Sequence, residues 1–205
     1  MARLPALVDA LATLDGRPRG AVDHIARALR EAGLIQTTKR GRGAAEMTAL
    51  DAAALVLGLY GLPDASPEAI AQAHALAGLK RGKPTRMGLP TGEHDPLPAE
   101  LRPLASAPTL LDAVAAVIEL GPILRSDRSR QDGFDGVVLL HRPQLAGAVS
   151  VRWKGVGGPA GQGQGLSVAF RSRGPGVSPY AVSTEVRTPV FITLHRALFP
   201  KTGPG

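Results

Sequence analysis

The chain has 205 residues, enough for one sizeable core or two small ones, and its 44% hydrophobic content comes mainly from Ala, Leu and Val, with aromatics at only 3%. It contains no cysteine, which excludes disulfides, thiolate metal sites and cysteine nucleophiles. The formal charge of +7 favours polyanionic partners, through encounter rate and non-specific affinity rather than through fold.

Only Arg3 precedes Leu4-Pro5-Ala6-Leu7-Val8, too short an apolar run for a secretory segment, and no uninterrupted run approaches transmembrane length. A cytoplasmic chain with no membrane contact is expected. Leu4, Leu7, Val8 and Leu11 share one face of a predicted helix over 4–15, stopped by Asp15-Gly16. A second helix runs from about Gly20 to Ala32, with Val22, Ile25, Ala26 and Leu29 as its apolar stripe and Gly33 as its terminator. Leu34 to Thr38, Lys39-Arg40-Gly41-Arg42-Gly43 and Ala44 to Met47 then read as a two-stranded wing with a glycine tip.

A third helix starts at Thr48, with Asp51 in capping-box spacing, and is apolar on nearly all sides through Tyr60. Ser66-Pro67-Glu68 opens a fourth helix that ends near Gly78. Residues 80–105 are punctuated by Gly and Pro without a sustained period and read as a linker or long loop. Thr109 and Asp112 repeat the capping box and open a helix that closes at Gly121-Pro122. Beyond it, 137–141, 149–154, 166–171 and 181–187 read as antiparallel strands. Thr188-Pro189 starts a last helix, although Val190 to Leu194 would also suit a strand.

The fold expected is therefore α+β: an N-terminal winged helix-turn-helix unit with supporting helices over 1–79, the linker over 80–105, and helices with a small antiparallel β-rich unit over 106–205. Within the first of these, basicity is clustered in one stretch. Arg17 to Met47 carries seven Lys or Arg against three acids, whereas Met47 to Ala77 has acids and no Lys or Arg. A helix ending at Gly33 followed by a basic hairpin is a major-groove reader beside a phosphate-gripping wing.

The order of elements resembles the DNA-binding domain of MerR-type regulators over about the first sixty residues. The matching stretches are Arg30-Glu31-Ala32-Gly33-Leu34-Ile35, the basic Lys39 to Gly43, and Thr48-Ala49-Leu50-Asp51. That family's recognition-helix tyrosines and long dimerisation helix have no counterpart here. The resemblance implies that His24, Arg27 and Arg30 face DNA, with Arg27 the candidate for a guanine edge. Lys39, Arg40 and Arg42 are the candidates for phosphates, and Arg17 and Arg19 are further DNA-binding candidates. The bland alternative for the helix is a solvated face with an Arg27–Glu31 pair at i, i+4.

Elsewhere the chemistry is sparse. The five histidines (24, 74, 94, 141, 195) include no i, i+4 pair, so neither a metal nor a cofactor is expected. The glycine-rich run Gly155 to Gly165 lacks a P-loop's Lys-Ser/Thr ending, and Trp153 is expected to pack in a core or hairpin. The expected function is a sequence-specific regulator that binds double-stranded DNA as a homodimer or higher homo-oligomer. The alternative is a phage-type DNA adaptor for excision or packaging, since the short, Arg-rich chain also resembles uncharacterised prophage proteins. A non-enzyme is expected; a pocket uniting two or more of His141, Glu185 and His195 would argue otherwise.

Overall fold

The computed structural model describes residues 3–36, 46–61, 65–87, 97–124, 134–142, 145–154, 163–171 and 182–200. Helix α1 (Leu4–Asp15) buries Leu7, Val8 and Leu11. After a three-residue turn, α2 (Arg19–Glu31) buries Val22, Ala26 and Leu29. Both helices end where glycine supplies a left-handed residue, at Gly16 (φ 67°) and Gly33 (φ 79°). At Gly33 the end is a Schellman motif: the Leu34 amide donates to Leu29 O at 2.9 Å and the Gly33 amide to Arg30 O at 3.1 Å. Leu34, the next residue, packs back on the core.

Helix α3 (Ala49–Gly61) is Ala, Leu and Val on every side and is buried on every side, as such a helix must be. It packs against α1's partner α2, against α4 (Pro67–Ala77) and against α6 (Leu110–Glu119). The predicted caps are present. Ser66 accepts from the Ala69 amide at 3.2 Å, and Thr109 with Asp112 forms a full capping box.

The C-terminal part is an antiparallel sheet in the order β6 (Val182–Arg187), β3 (Phe134–Arg142), β4 (Ala146–Lys154), β5 (Gly163–Arg171). Two short strands, β1 (Lys80–Arg81) and β2 (Thr85–Met87), pair with the far edge of β5. Period-two alternation gives the sheet two unlike faces. Val138, Leu140, Val149, Val151, Val168 and Phe170 are buried on one, beneath α6 and α7 (Thr188–Leu198). Val117 of α6 and Phe191 of α7 crowd the core side of Gly136, and Leu110 lies over Gly147. The joint between β6 and α7 is pinned by the Thr188 hydroxyl, which donates to Asp135 Oδ1 at 2.6 Å and accepts from the Gly136 amide at 2.8 Å.

Two sequence expectations meet different facts. The predicted linker carries β1 and β2 and, after residues outside the description, a 3-10 turn (Ala99–Leu101) and α5 (Arg102–Ser106). Strands of two and three residues have no period of their own to read; pairing with β5 creates them. The Arg81 guanidinium ties the first of them to the Ala105 carbonyl at 2.5 Å. Buried residues on both sides of that segment also share one core, and α1 packs on α7. The last helix is a helix, and β3, β4 and β5 each start three residues earlier than predicted because the sheet ladder recruits flanking residues, glycines among them, whereas β6 falls within its expected span.

A pH test arises at the end of α3. Burial and the Asp15 carboxylate push the Tyr60 phenol up to about 12, against a smaller opposing effect of the Arg17 guanidinium 5.5 Å from its ring. The folded value exceeds the unfolded 10, so this contribution to stability is full below pH 10 and is lost as pH rises through about 12. Denaturant melts across that range should show stability falling with pH, and Tyr60→Phe should flatten the slope.

Candidate nucleic-acid interface

The α1–α2 pair has the outline of a helix-turn-helix: two packed helices joined by Gly16-Arg17-Pro18. The stripe Val22, Ala26, Leu29 points inward, which turns His24 and Arg27 to the opposite, exposed face, with Glu31 one turn further on. Arg30 is half-buried at the flank of that face. His24 and Arg30 have no side-chain partner among the described residues.

Arg27 does have a partner, and it is not the one expected. Its guanidinium meets Asp23 at 3.3 Å instead of Glu31. On a helix an acid four residues before a base is the better orientation, because both side chains then complement the dipole. The pair is exposed, with side chains 59% and 42% accessible. Such a pair contributes about 0–1 kcal/mol, so Arg27 leaves Asp23 for a stronger acceptor at little cost.

The two turn arginines differ. Arg19 meets Asp9 at 2.6 Å across an exposed α1–α2 pair. Arg17 is held from three sides: an ion pair with Asp15, a hydrogen bond to Leu59 O at 3.0 Å, and the Tyr60 ring. It fastens the turn to α3. Residues 3–36 hold five arginines against four carboxylates, so the cationic excess of the N-terminal region rests on Lys39, Arg40 and Arg42. Those three lie outside the described residues, as does most of the wing predicted around them; its described ends, residues 34–36 and 46–47, are not strands.

What is described is how that segment is rooted. Asp51, on the first turn of α3 and 3% exposed, accepts from the Thr48 amide at 2.8 Å and the Thr48 hydroxyl at 2.7 Å with one oxygen. With the other it accepts from the Gln36 amide at 2.9 Å. One carboxylate thus joins the chain before residue 37 to the chain after residue 47. The capping box was readable in sequence, but the Gln36 contact was not, since its donor is a backbone amide with no side-chain signature. A second support also went unread: His74 of α4 donates through Nε2 to the Ala32 carbonyl at 2.9 Å, bracing the end of α2.

The residues that invited acid-base chemistry do not meet. Glu185 is on the face of the sheet away from the helices, paired with Arg187 at 3.0 Å. His195 is on α7, on the other side, with Nδ1 donating to Ile118 O at 3.1 Å; burial lowers its pKa below the usual imidazole range. The side chains of His141 and Trp153, and residues 155–162 of the glycine-rich run, lie outside the described residues. Among the described residues no three His, Asp or Glu side chains gather to hold a metal, and no helix is long and apolar enough to cross a membrane. No protein-family model, no curated protein and no solved structure matches the chain.

Proposed function

We propose that this chain is a sequence-specific, double-stranded DNA-binding regulator that reads the major groove with the outward face of α2. The observation that carries the reading is the pair of packed helices whose second helix turns His24 and Arg27 to solvent, beside the point where Asp51 roots the segment that carries Lys39, Arg40 and Arg42. Arg27 reads a guanine edge, Arg30 and Arg19 meet flanking phosphates, and Lys39, Arg40 and Arg42 add sequence-independent grip. Arg17 serves by holding the turn.

The test compares two variants on a preferred duplex and on scrambled duplexes. Arg27→Ala should lose about 1–3 kcal/mol of discrimination between them. Arg40→Ala should weaken every duplex alike and shallow the slope of log affinity against log salt by about 1. Unchanged discrimination in Arg27→Ala overturns the assignment of α2 as the reading element.

A further inference from the structure

The net charge is not spread along the chain. Residues 1–79 hold eight Lys or Arg against eight Asp or Glu, so the whole formal charge of +7 falls beyond them. Two stretches of that remainder contain no acid: 69–92, with Lys80, Arg81, Lys83 and Arg86, and 136–184, with five Lys or Arg. The fold brings the two together, because β1 and β2 of the first pair with β5 of the second. The acids of the sheet, Asp135 and Glu185, stand on β3 and β6, toward its other edge.

Where they meet, Lys80 of β1 lies directly across from Arg171 of β5, and Lys83 stands between β1 and β2. All three are exposed, and none takes part in an ion pair among the described residues. Arg81 beside them turns to the Ala105 carbonyl instead. Like charges directly opposite on paired strands destabilise the pair, and an anion seated between them relieves the repulsion. Guarding an open strand edge calls for cations on the edge strand alone, whereas Arg171 comes from β5, an inner strand.

We infer that this edge, with Lys80, Lys83 and Arg171 as its contacts, is a phosphate-binding surface that grips the backbone of the same duplex DNA that α2 reads. The choice of duplex DNA as the polyanion rests on the reading of α2; the cationic surface does not. The two are close along the chain. His74 of α4 bonds the Ala32 carbonyl at the end of α2 at 2.9 Å, and Lys80 follows six residues later, at most about 21 Å of extended chain. A turn of duplex is about 34 Å long, enough to span both. Cations at phosphates read no sequence; they add affinity by releasing condensed counterions.

The test uses the full chain and fluorescence anisotropy with labelled preferred and scrambled duplexes across a range of salt. An edge variant combines Lys80→Gln, Lys83→Gln and Arg171→Gln. A control variant removes the same charge elsewhere, through Arg3→Gln, Arg187→Gln and Arg196→Gln, all at exposed positions. The edge variant should keep the wild-type circular dichroism spectrum and its discrimination between duplexes. It should bind every duplex about tenfold more weakly at low salt, with a log–log salt slope shallower by about 2–3. The control should change neither slope nor affinity by as much. An unaltered slope in the edge variant overturns the inference and leaves the reading of α2 standing. A shallower slope there, beside unaltered discrimination in Arg27→Ala, upholds the edge and overturns that reading. An equal loss in the control assigns the effect to net charge and overturns the edge. Self-association of the edge variant with undiminished duplex binding does so too, by assigning the cations to protection of an open strand. A wild type that retains no duplex at low salt overturns both.

Discussion

Replacing Asp51 by alanine is expected to lower stability by about 2–4 kcal/mol and, although it removes a negative charge from a basic region, to weaken duplex binding about fivefold. The stability loss follows from what the carboxylate holds. Its removal leaves the amides of Gln36 and Thr48 unpaired beside a buried helix end, at about 1–3 kcal/mol each before any water reaches them, and frees the Thr48 hydroxyl that caps α3. The binding loss separates geometry from charge. Coulomb's law alone predicts tighter binding to a polyanion once an acid is deleted. If the residues on either side of 37–45 must be held together for Lys39, Arg40 and Arg42 to meet phosphates in register with α2, binding falls instead. Anisotropy with a labelled duplex, read well below the melting temperature, decides between them. Tighter binding by Asp51→Ala contradicts the rooting role, and Asp51→Asn, which keeps the shape but accepts through one oxygen, should fall between.

The second large effect concerns the unity of the fold. Phe191 of α7 is fully buried where the helical layer meets the sheet, against Gly136 of β3. Truncating such a side chain costs about 3–5 kcal/mol, from lost transfer energy and from the cavity left behind. For a chain of this size that corresponds to a fall of about 10 °C in melting temperature. Because α1 packs on α7, and Leu7 shares a core with Leu194, the whole chain should melt in one transition that moves as a unit in Phe191→Ala. Two transitions in the calorimeter, only the upper or lower of which responds, would show that residues 1–79 fold as a separate unit and that the shared core is not cooperative.

Local signals in the sequence located most elements. Thr48 with Asp51 and Thr109 with Asp112 marked two helix starts, Ser66-Pro67 a third, and Gly16 and Gly33 two helix ends, because each of these residues acts on backbone groups within a turn of itself. What went unread was set at long range. Arg17 was expected among the DNA-binding residues, but its acceptor, Leu59 O, is 42 residues away and carries no side-chain signature. Phe134-Asp135-Gly136 fell outside the strand expected over 137–141; it begins β3, where Thr188, beyond the end of β6, satisfies both the Asp135 carboxylate and the Gly136 amide. Lys80-Arg81 looked like the start of a linker and is a strand only because β5 offers an open edge. For the site, the periodicity of α2 correctly turned His24 and Arg27 outward, and the dipole preference that chose Asp23 over Glu31 as partner of Arg27 was within reach of the same reasoning.

The face of α2 opposite its buried stripe is polar and charged, suited under the proposed reading to groove edges and phosphates.

The central claim is tested most directly by offering the wild-type protein a pool of random-sequence duplexes at low salt, recovering what binds, and titrating the recovered duplex with salt. The account predicts an enriched sequence, bound with a log–log salt slope of several units, and an affinity at least about a thousandfold above that for unselected duplex. Failure to retain any duplex at low salt would contradict it.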